Sequence, residues 1–381
     1  MIYVLSIDWL AIHCHYIAPA NAECENSDMW EPVMPGKNER ETTIECVYPW
    51  RFKLEDYGTR QFKRLHRVSV PNEQGGWDDF AEVQSLPYSG ILNRNSVIVR
   101  FVNRTLYRHD FWNMFDLFLE QQHFIFKGIS RIDICADFNQ FLHHTPIEII
   151  EGFAAKKYRH IGQGVGALYF NHGVMSDKIT RRKDYGVNYT GLSFGTHGSD
   201  LRVYLYNKSF ELMTQGEKPW IRDRWNAVGL DGRNVWRLEV SLKSKACKFK
   251  DRTTGQPVVL EEQSTKDEDE LSKIYHTLVQ KKFDFRINQK KCTNVSRLER
   301  IQLFSLHPVY DHRTLRNVSP GNKFERMFIK ALYQLGDLYR GADIKDDALL
   351  AQSLAYDIAN TTNLNKWLSD KIPTWEKPNH K

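Results

Sequence analysis

"SDLRVYLYNKSFEL", residues 199–212, alternates with a period of two. Val203 and Leu205 fall on one side, while Arg202, Tyr204, Tyr206 and Lys208 fall on the other, with Glu211 just beyond. This pattern predicts an antiparallel strand with one core face. Two other stretches repeat it. "RIDICADF" (131–138) sets Ile132, Ile134 and Ala136 against Arg131, Asp133, Cys135 and Asp137. "WRLEVSLK" (236–243) sets Trp236, Leu238, Val240 and Leu242 inward and Arg237, Glu239, Ser241 and Lys243 outward. A solvated sheet face accounts for the alternation but not for the residue types, because Asp is disfavoured inside strands. If the three strands are neighbours, their polar faces merge into one patch of acids, phenols and cations.

Around these strands the periodicity changes to that of helices. "HDFWNMFDLFLEQQH" (109–123) aligns Phe111, Met114, Phe115, Phe118 and Leu119 on one stripe. "TPIEIIEGFAAKKY" (145–158) opens with a Thr cap and a Pro at the first helical position. The expected fold is α+β: an antiparallel β-sheet domain over 1–250 with helices packed on one face. The polar stretch 251–272, with its acidic run Asp267–Glu270, reads as a linker running into a helix start. Apolar spacing over 323–341 and 346–372 makes 273–381 a mainly helical C-terminal domain.

Composition sets the bounds. The 381 residues are 41% hydrophobic and 13% aromatic, which excludes a disordered chain. The net charge of +6 favours an acidic partner such as nucleic acid without requiring one. Cysteines at 14, 24, 46, 135, 247 and 292 form no CxxC pair or zinc-like spacing, as expected for free thiols in a reducing cytoplasm. The first residues lack a basic n-region, and Asp8 interrupts their apolar run. No stretch has the length of uncharged apolar sequence that a membrane span needs. A soluble cytoplasmic protein without membrane partners is expected.

The merged polar face has a coherent chemistry. Two or three carboxylates suit a hard divalent cation, Mg²⁺ or Mn²⁺. Arg suits phosphate oxygens, and a tyrosine phenol can serve as nucleophile when a neighbouring cation favours the phenolate. The turn "GTHGS" (195–199) lacks a P-loop ending, so nucleotide hydrolysis is not indicated.

In order, "SIDWLAI", "RIDICADF", "TGLSFGTHGSDLRVYLYNKSFE" and "WRLEVSLK" resemble the Rep_trans family of replication initiation factors, over roughly residues 5–300. The most specific motif is Gly195, Ser199, Arg202, Tyr204, Tyr206, Lys208 and Glu211. The resemblance implies an origin-specific enzyme that nicks one DNA strand through a tyrosine, with a divalent metal, leaving a 5′-phosphotyrosine and a free 3′ hydroxyl. Asp133 and Glu239 match its acidic metal-site positions best, and Asp137, Lys208 and Glu211 match less closely. In the plasmid branch the attacking tyrosine follows the Arg-x-Glu strand, whereas "SKACKFKD" (244–251) has none. Tyr206, between Arg202 and Lys208, is then the first choice of nucleophile and Tyr204 the second. A relaxase acting on a transfer origin has the same chemistry. A sequence-specific duplex-binding regulator without a nucleophile is the alternative of a different class.

Expected DNA contacts are His197 and Ser199 in the turn, Arg181, Arg182 and Lys183 in a loop-like arm, Arg237 on its strand, and Lys290 and Lys291 in the basic stretch 281–300. His13 and His15 share one side of a strand and read as two ordinary histidines at its end. The C-terminal helices are candidates for binding origin duplex, a second copy of the chain or a host helicase.

Overall fold

The computed structural model describes residues 2–18, 29–32, 41–44, 48–88, 92–161, 166–170, 173–174, 189–196, 198–289, 292, 294, 297–305 and 309–312. They belong to one compact unit, Met1–Leu315. The chain forms β1 (Tyr3–Tyr16), β2 (Glu41–Ile44), β3 (Trp50–Leu54), β4 (Phe62–Pro71), β5 (Trp77–Pro87) and β6 (Ser96–Phe101). Helices α1 (Asn103–Leu106) and α2 (Phe111–Gln121) precede the long β7 (Phe124–Phe138). Next come α3 (Pro146–Ala154), β8 (Tyr158–His160), β9 (Gly166–Phe170), β10 (Gly173–Val174), β11 (Tyr189–Phe194) and β12 (Leu201–Asn207). Helices α4 (Lys208–Gln215) and α5 (Pro219–Ala227) lead to β13 (Trp236–Lys243), β14 (Lys248–Asp251) and β15 (Pro257–Val259). Helices α6 (Glu262–Lys266) and α7 (Glu268–Lys282), with strands β16 (Phe285–Ile287) and β17 (Tyr310–His312), follow.

Twelve of the described strands make one sheet in the order β10-β9-β11-β12-β13-β7-β1-β6-β5-β4-β3-β2. The architecture is α+β, as the alternation predicts. The three amphipathic strands of the sequence are neighbours, β12–β13–β7. Their register sets Tyr204 opposite Glu239, Tyr206 opposite Arg237, and Ser241 opposite Asp133. On the apolar face Val203, Leu205, Ile132, Ile134, Leu238 and Val240 are buried in a core shared with α2, α3 and α7. Helix α2 buries the stripe Phe111, Met114, Phe115, Phe118 and Leu119. Helix α3 starts at the expected Thr145, whose side chain accepts from the Glu148 N–H while Glu148 accepts from the Thr145 N–H, a complete capping box.

Two features differ from the expectation. Helices are not confined to one face. The alternation of β12 stops at Asn207, whose side chain accepts from the Phe210 N–H at 2.8 Å and starts α4, so Lys208 is a helical residue. Pro219 then opens α5. Leu212, Ile221, Trp225, Leu230 and Val235 form a second small core over Val4 and Tyr107. This lid covers the end of the polar face where Arg237 and Asp137 stand, and both are buried. The polar face is therefore solvated only in part.

The second difference concerns 251–272, which carries β15, α6 and the start of α7. Beyond it, Ile274, Tyr275 and Leu278 of α7 join the main core, and the Tyr275 hydroxyl donates to the Leu238 carbonyl at 2.8 Å. The compact unit thus continues past both 250 and 273. The helical segments expected at 323–341 and 346–372 lie outside the described residues.

Candidate nucleic-acid site

The site grows from a bulge in β1. Ile7 pairs with Ile134 and Trp9 with Asp133, so Asp8 is an extra residue and the ladder shifts around it. The bulge lets two successive side chains serve the polar face. Asp8 reaches Arg237 and Tyr107, and Trp9 reaches Arg131.

Beneath the lid lies a closed ionic network. Arg237 donates through Nε and Nη2 to the two oxygens of Asp137, at 2.6 and 2.7 Å, and through Nη1 to Asp8 at 2.5 Å. The Tyr107 hydroxyl accepts from Arg237 at 3.1 Å and donates to Asp8 at 2.7 Å. Trp225 Nε1 of α5 donates to Asp137 at 2.7 Å, and Asn103 Nδ2 to the Asp8 side chain at 3.1 Å. Burial alone would raise the Asp8 carboxyl, but the charges of Arg237 and Lys208 and the two hydrogen bonds outweigh it and hold it well below the usual range. Two sequence expectations are corrected here. Asp137 is the counter-ion of a buried guanidinium rather than a metal ligand, and Arg237 is fully buried and faces protein acceptors rather than DNA.

Next to this network stand the tyrosines. Tyr206 is only 8% exposed, donates to Glu239 at 3.2 Å and accepts from Lys208 Nζ at 3.4 Å. Lys208 is itself buried and paired with Glu211, which engages Glu211 as an ion-pair partner. Burial, and after it the charge of Glu239, push the Tyr206 phenol well above its ordinary range, and the positive charge of Arg237 does not offset them. The cations here therefore do not favour a phenolate. Tyr204 stacks on Tyr206 at 4.5 Å between centroids, and burial and Tyr169 raise its phenol too. Gly191 makes room for this ring: a Cβ there would stand 3.0 Å from Tyr204 Cε2 and 2.8 Å from the Leu205 carbonyl oxygen.

On the uncovered part of the face a small cleft of about 60 Å³ is lined by Arg131, Ser199, Arg202, Tyr204, Glu239 and Lys243, among others. Gly195, at φ +94°, turns β11 into β12 and brings Ser199 to the cleft, where its hydroxyl accepts from the Thr196 N–H at 3.0 Å. Arg202 donates to the Tyr169 hydroxyl at 3.2 Å and lies 5.2 Å from the Tyr204 ring centre. Asp133 accepts a fork from Arg131, at 3.0 and 2.6 Å. Burial, and then the charges of Asp133 and Asp8, push the Glu239 carboxyl up to about 7 despite Arg237 and Lys208. Asp133 is raised as well, by burial first, against the pull of Arg131. Asp133 and Glu239 are thus two carboxyls whose burial disfavours their charge, beside a cleft, a donor pair that suits a hard divalent cation. Among the described residues no group of three or more His, Cys, Asp or Glu side chains is gathered for a metal.

The structure therefore brings together Arg202, Tyr204, Ser199 and Glu239, with Asp133 adjoining, and Tyr206 links Glu239 and Tyr204 to Lys208 and Glu211 behind them. His13 and His15 pack edge to face at 5.2 Å further along β1, opposite Gly128 and Ile125 of β7 rather than opposite Asp133. His197, Arg181, Arg182, Lys183, Lys290 and Lys291 lie outside the described residues. The residue that sequence reasoning missed is Asp8. It sat in the quoted "SIDWLAI", but its role depends on a bulge that alternation does not reveal.

No family model matches the chain, and no curated protein does. Among solved structures it is similar to the rolling circle replication initiator protein from Geobacillus stearothermophilus. The two are 12% identical, over 79% of this chain and 94% of that one, with a TM-score of 0.38. No residue of this chain takes a role from that similarity.

Proposed function

We propose that this protein is a rolling-circle DNA replication initiator that nicks one strand of its origin. The observation that carries the reading is the cleft, in which a phenol, a carboxylate and three cationic side chains converge, with a second carboxylate adjoining. Tyr204, in register with Glu239 and on the same cleft, is the better candidate nucleophile, and Tyr206 stands behind it. The Tyr204 oxygen attacks the phosphorus and its proton passes to solvent at the open cleft. The bond to the 3′ oxygen breaks and that oxygen takes up a proton from solvent, matching the one the phenol released, which leaves a 5′-phosphotyrosine and a free 3′ hydroxyl. Arg131, Arg202 and Lys243 hold the phosphate oxygens. Asp133 and Glu239 are the residues to hold Mg²⁺ or Mn²⁺, which when bound supplies charge stabilisation at a phosphoryl oxygen.

A specific observation favours a second reading. Both phenols are raised above their ordinary range, as fits a sequence-specific duplex-binding regulator that holds DNA without cutting it. The test is a supercoiled plasmid carrying the protein's own replicon, incubated with Mn²⁺ or Mg²⁺. Nicking with a 5′-linked adduct that Tyr204→Phe abolishes, with a rate loss of at least about a thousandfold, is the expected result. An adduct lost only in Tyr206→Phe would move the nucleophile one step along β12. Specific binding without nicking by the natural protein would establish the regulator instead.

A further inference from the structure

The bulge that delivers Asp8 to the ionic network also lifts Trp9 onto the open part of the face. Trp9 is half-buried and stands between two guanidinium groups. Arg131 of β7 lies 4.7 Å from its ring centre and Arg100 of β6 lies 5.0 Å from it. Both arginines are substantially exposed, with side chains 41% and 35% accessible. Each is braced from one side by a carboxylate, Arg131 by Asp133 and Arg100 by Glu82. This bracing fixes the guanidinium planes and leaves N–H groups that neither carboxylate takes.

The register puts these groups in a row. Lys243 of β13 pairs with Arg131, Arg131 with Ala11 of β1, and Ala11 with Arg100. Four adjacent strands at about 4.8 Å spacing carry the row roughly 14 Å across the sheet. It begins at the cleft, which Lys243 and Arg131 both line. Aromatic surface alternating with fixed cations on an open sheet face suits a polymer with planar bases and regularly spaced phosphates. It does not suit duplex readout, which needs an element that enters a groove. Nor does a purely structural role explain why Trp9 remains partly exposed between the two cations.

We propose that the row Lys243–Arg131–Trp9–Arg100 is a single-strand track, on which the DNA strand next to the scissile phosphate lies across β7, β1 and β6. The phosphates contact Lys243, Arg131 and Arg100, and a base packs against Trp9. This rests on the strand-nicking reading and adds to it where the unpaired strand runs.

The experiment measures binding separately from cutting. The full chain, carrying Tyr204→Phe and Tyr206→Phe and kept in EDTA, is titrated into a fluorescently labelled single-stranded oligonucleotide of mixed sequence and, in parallel, a hairpin duplex. Binding is followed by anisotropy at several salt concentrations. Trp9→Ala is expected to weaken single-strand binding about tenfold and Trp9→Phe much less, as for a stacking platform. Arg100→Ala, an exposed change outside the cleft, is expected to weaken it and to lower the salt slope by about 0.7, while duplex binding changes less. Unchanged single-strand affinity in Arg100→Ala would overturn the track, and so would equal losses on single strand and duplex. If Trp9→Ala fails to fold, Trp9→Phe and Arg100→Ala still decide the matter. If Trp9 and Arg100 prove necessary for single-strand binding while the natural protein never nicks, the track stands and the nicking reading falls.

Discussion

Glu239 concentrates the electrostatics of the site. Its in-register neighbour Tyr204 and its hydrogen-bond donor Tyr206 are both phenols, and its charged neighbours include Asp133 and Asp8. Because burial and those acids raise its folded pKa to about 7 from 4.5, the folded state holds this proton more tightly than the unfolded chain does. The resulting stability is fully present below about pH 4.5 and is lost as pH rises through 7. In EDTA, Glu239→Gln should therefore be more stable than the natural protein at pH 8, by on the order of 2 kcal/mol after solvent screening, and close to it at pH 4.5. Urea unfolding at the two pH values checks this, and an identical difference at both would show that Glu239 is ionised like an ordinary surface carboxylate. The place of Glu239 on the polar face was legible, because an acid at an outward strand position next to two polar strands is conspicuous. The fate of Arg237 and Asp137 was not. They carry the same outward signature as Glu239, and only α5 with Trp225, which strand alternation cannot place, separates the buried pair from the open cleft.

Elements were more legible than residues because their signals are local. The stripe of α2 and the Thr145 cap of α3 are written within a few positions and appear in the structure where expected, the cap being completed there by Glu148. The cap can be weighed directly. Thr145→Ala leaves the Glu148 N–H without its acceptor and should lower unfolding stability by about 1 kcal/mol, seen as a lower urea midpoint at unchanged slope. No measurable change would mean that the start of α3 is held by its buried Ile149 and Ile150 alone. The bulge at Asp8 and the packing of α7 into the core escaped sequence reading for a shared reason. Both depend on partners far along the chain, Ile134 and Asp133 in one case and the sheet face under Tyr275 in the other. The polar composition of 251–272 suggested a linker, yet a polar segment can also be the rim of a packed body when its few apolar residues, such as Leu260 and Leu271, point inward.

At the scale of the whole unit, buried histidines act on stability from the acid side. Burial lowers His276 on α7 and His312 on β17 to about 4 from 6.5. Their folded pKa values are depressed, so the unfolded chain binds the protons more readily and stability falls as pH drops from about 6.5 towards 4. Thermal unfolding should show this loss, and His276→Asn should remove part of it, on the order of 1–2 kcal/mol at pH 4.5 relative to pH 7. An unaltered acid limb would mean that His276 is already charged in its pocket beside Tyr3. The ionic network beneath the lid has a different reach. Arg237 draws its partners from β1, the end of α1 and β7, at sequence separations of 229, 130 and 100 residues, and α5 closes over them. Such separations delay assembly, because every intervening loop must close before the contact is rewarded. While the chain is being synthesised, Asp8 and Asp137 must wait, uncompensated by their guanidinium, until residue 237 has emerged. A nascent or prematurely ended chain therefore lacks the counter-ion that knits the two halves of the sheet together. The polar face is therefore completed only after residue 237 has been made, however early its other strands were synthesised.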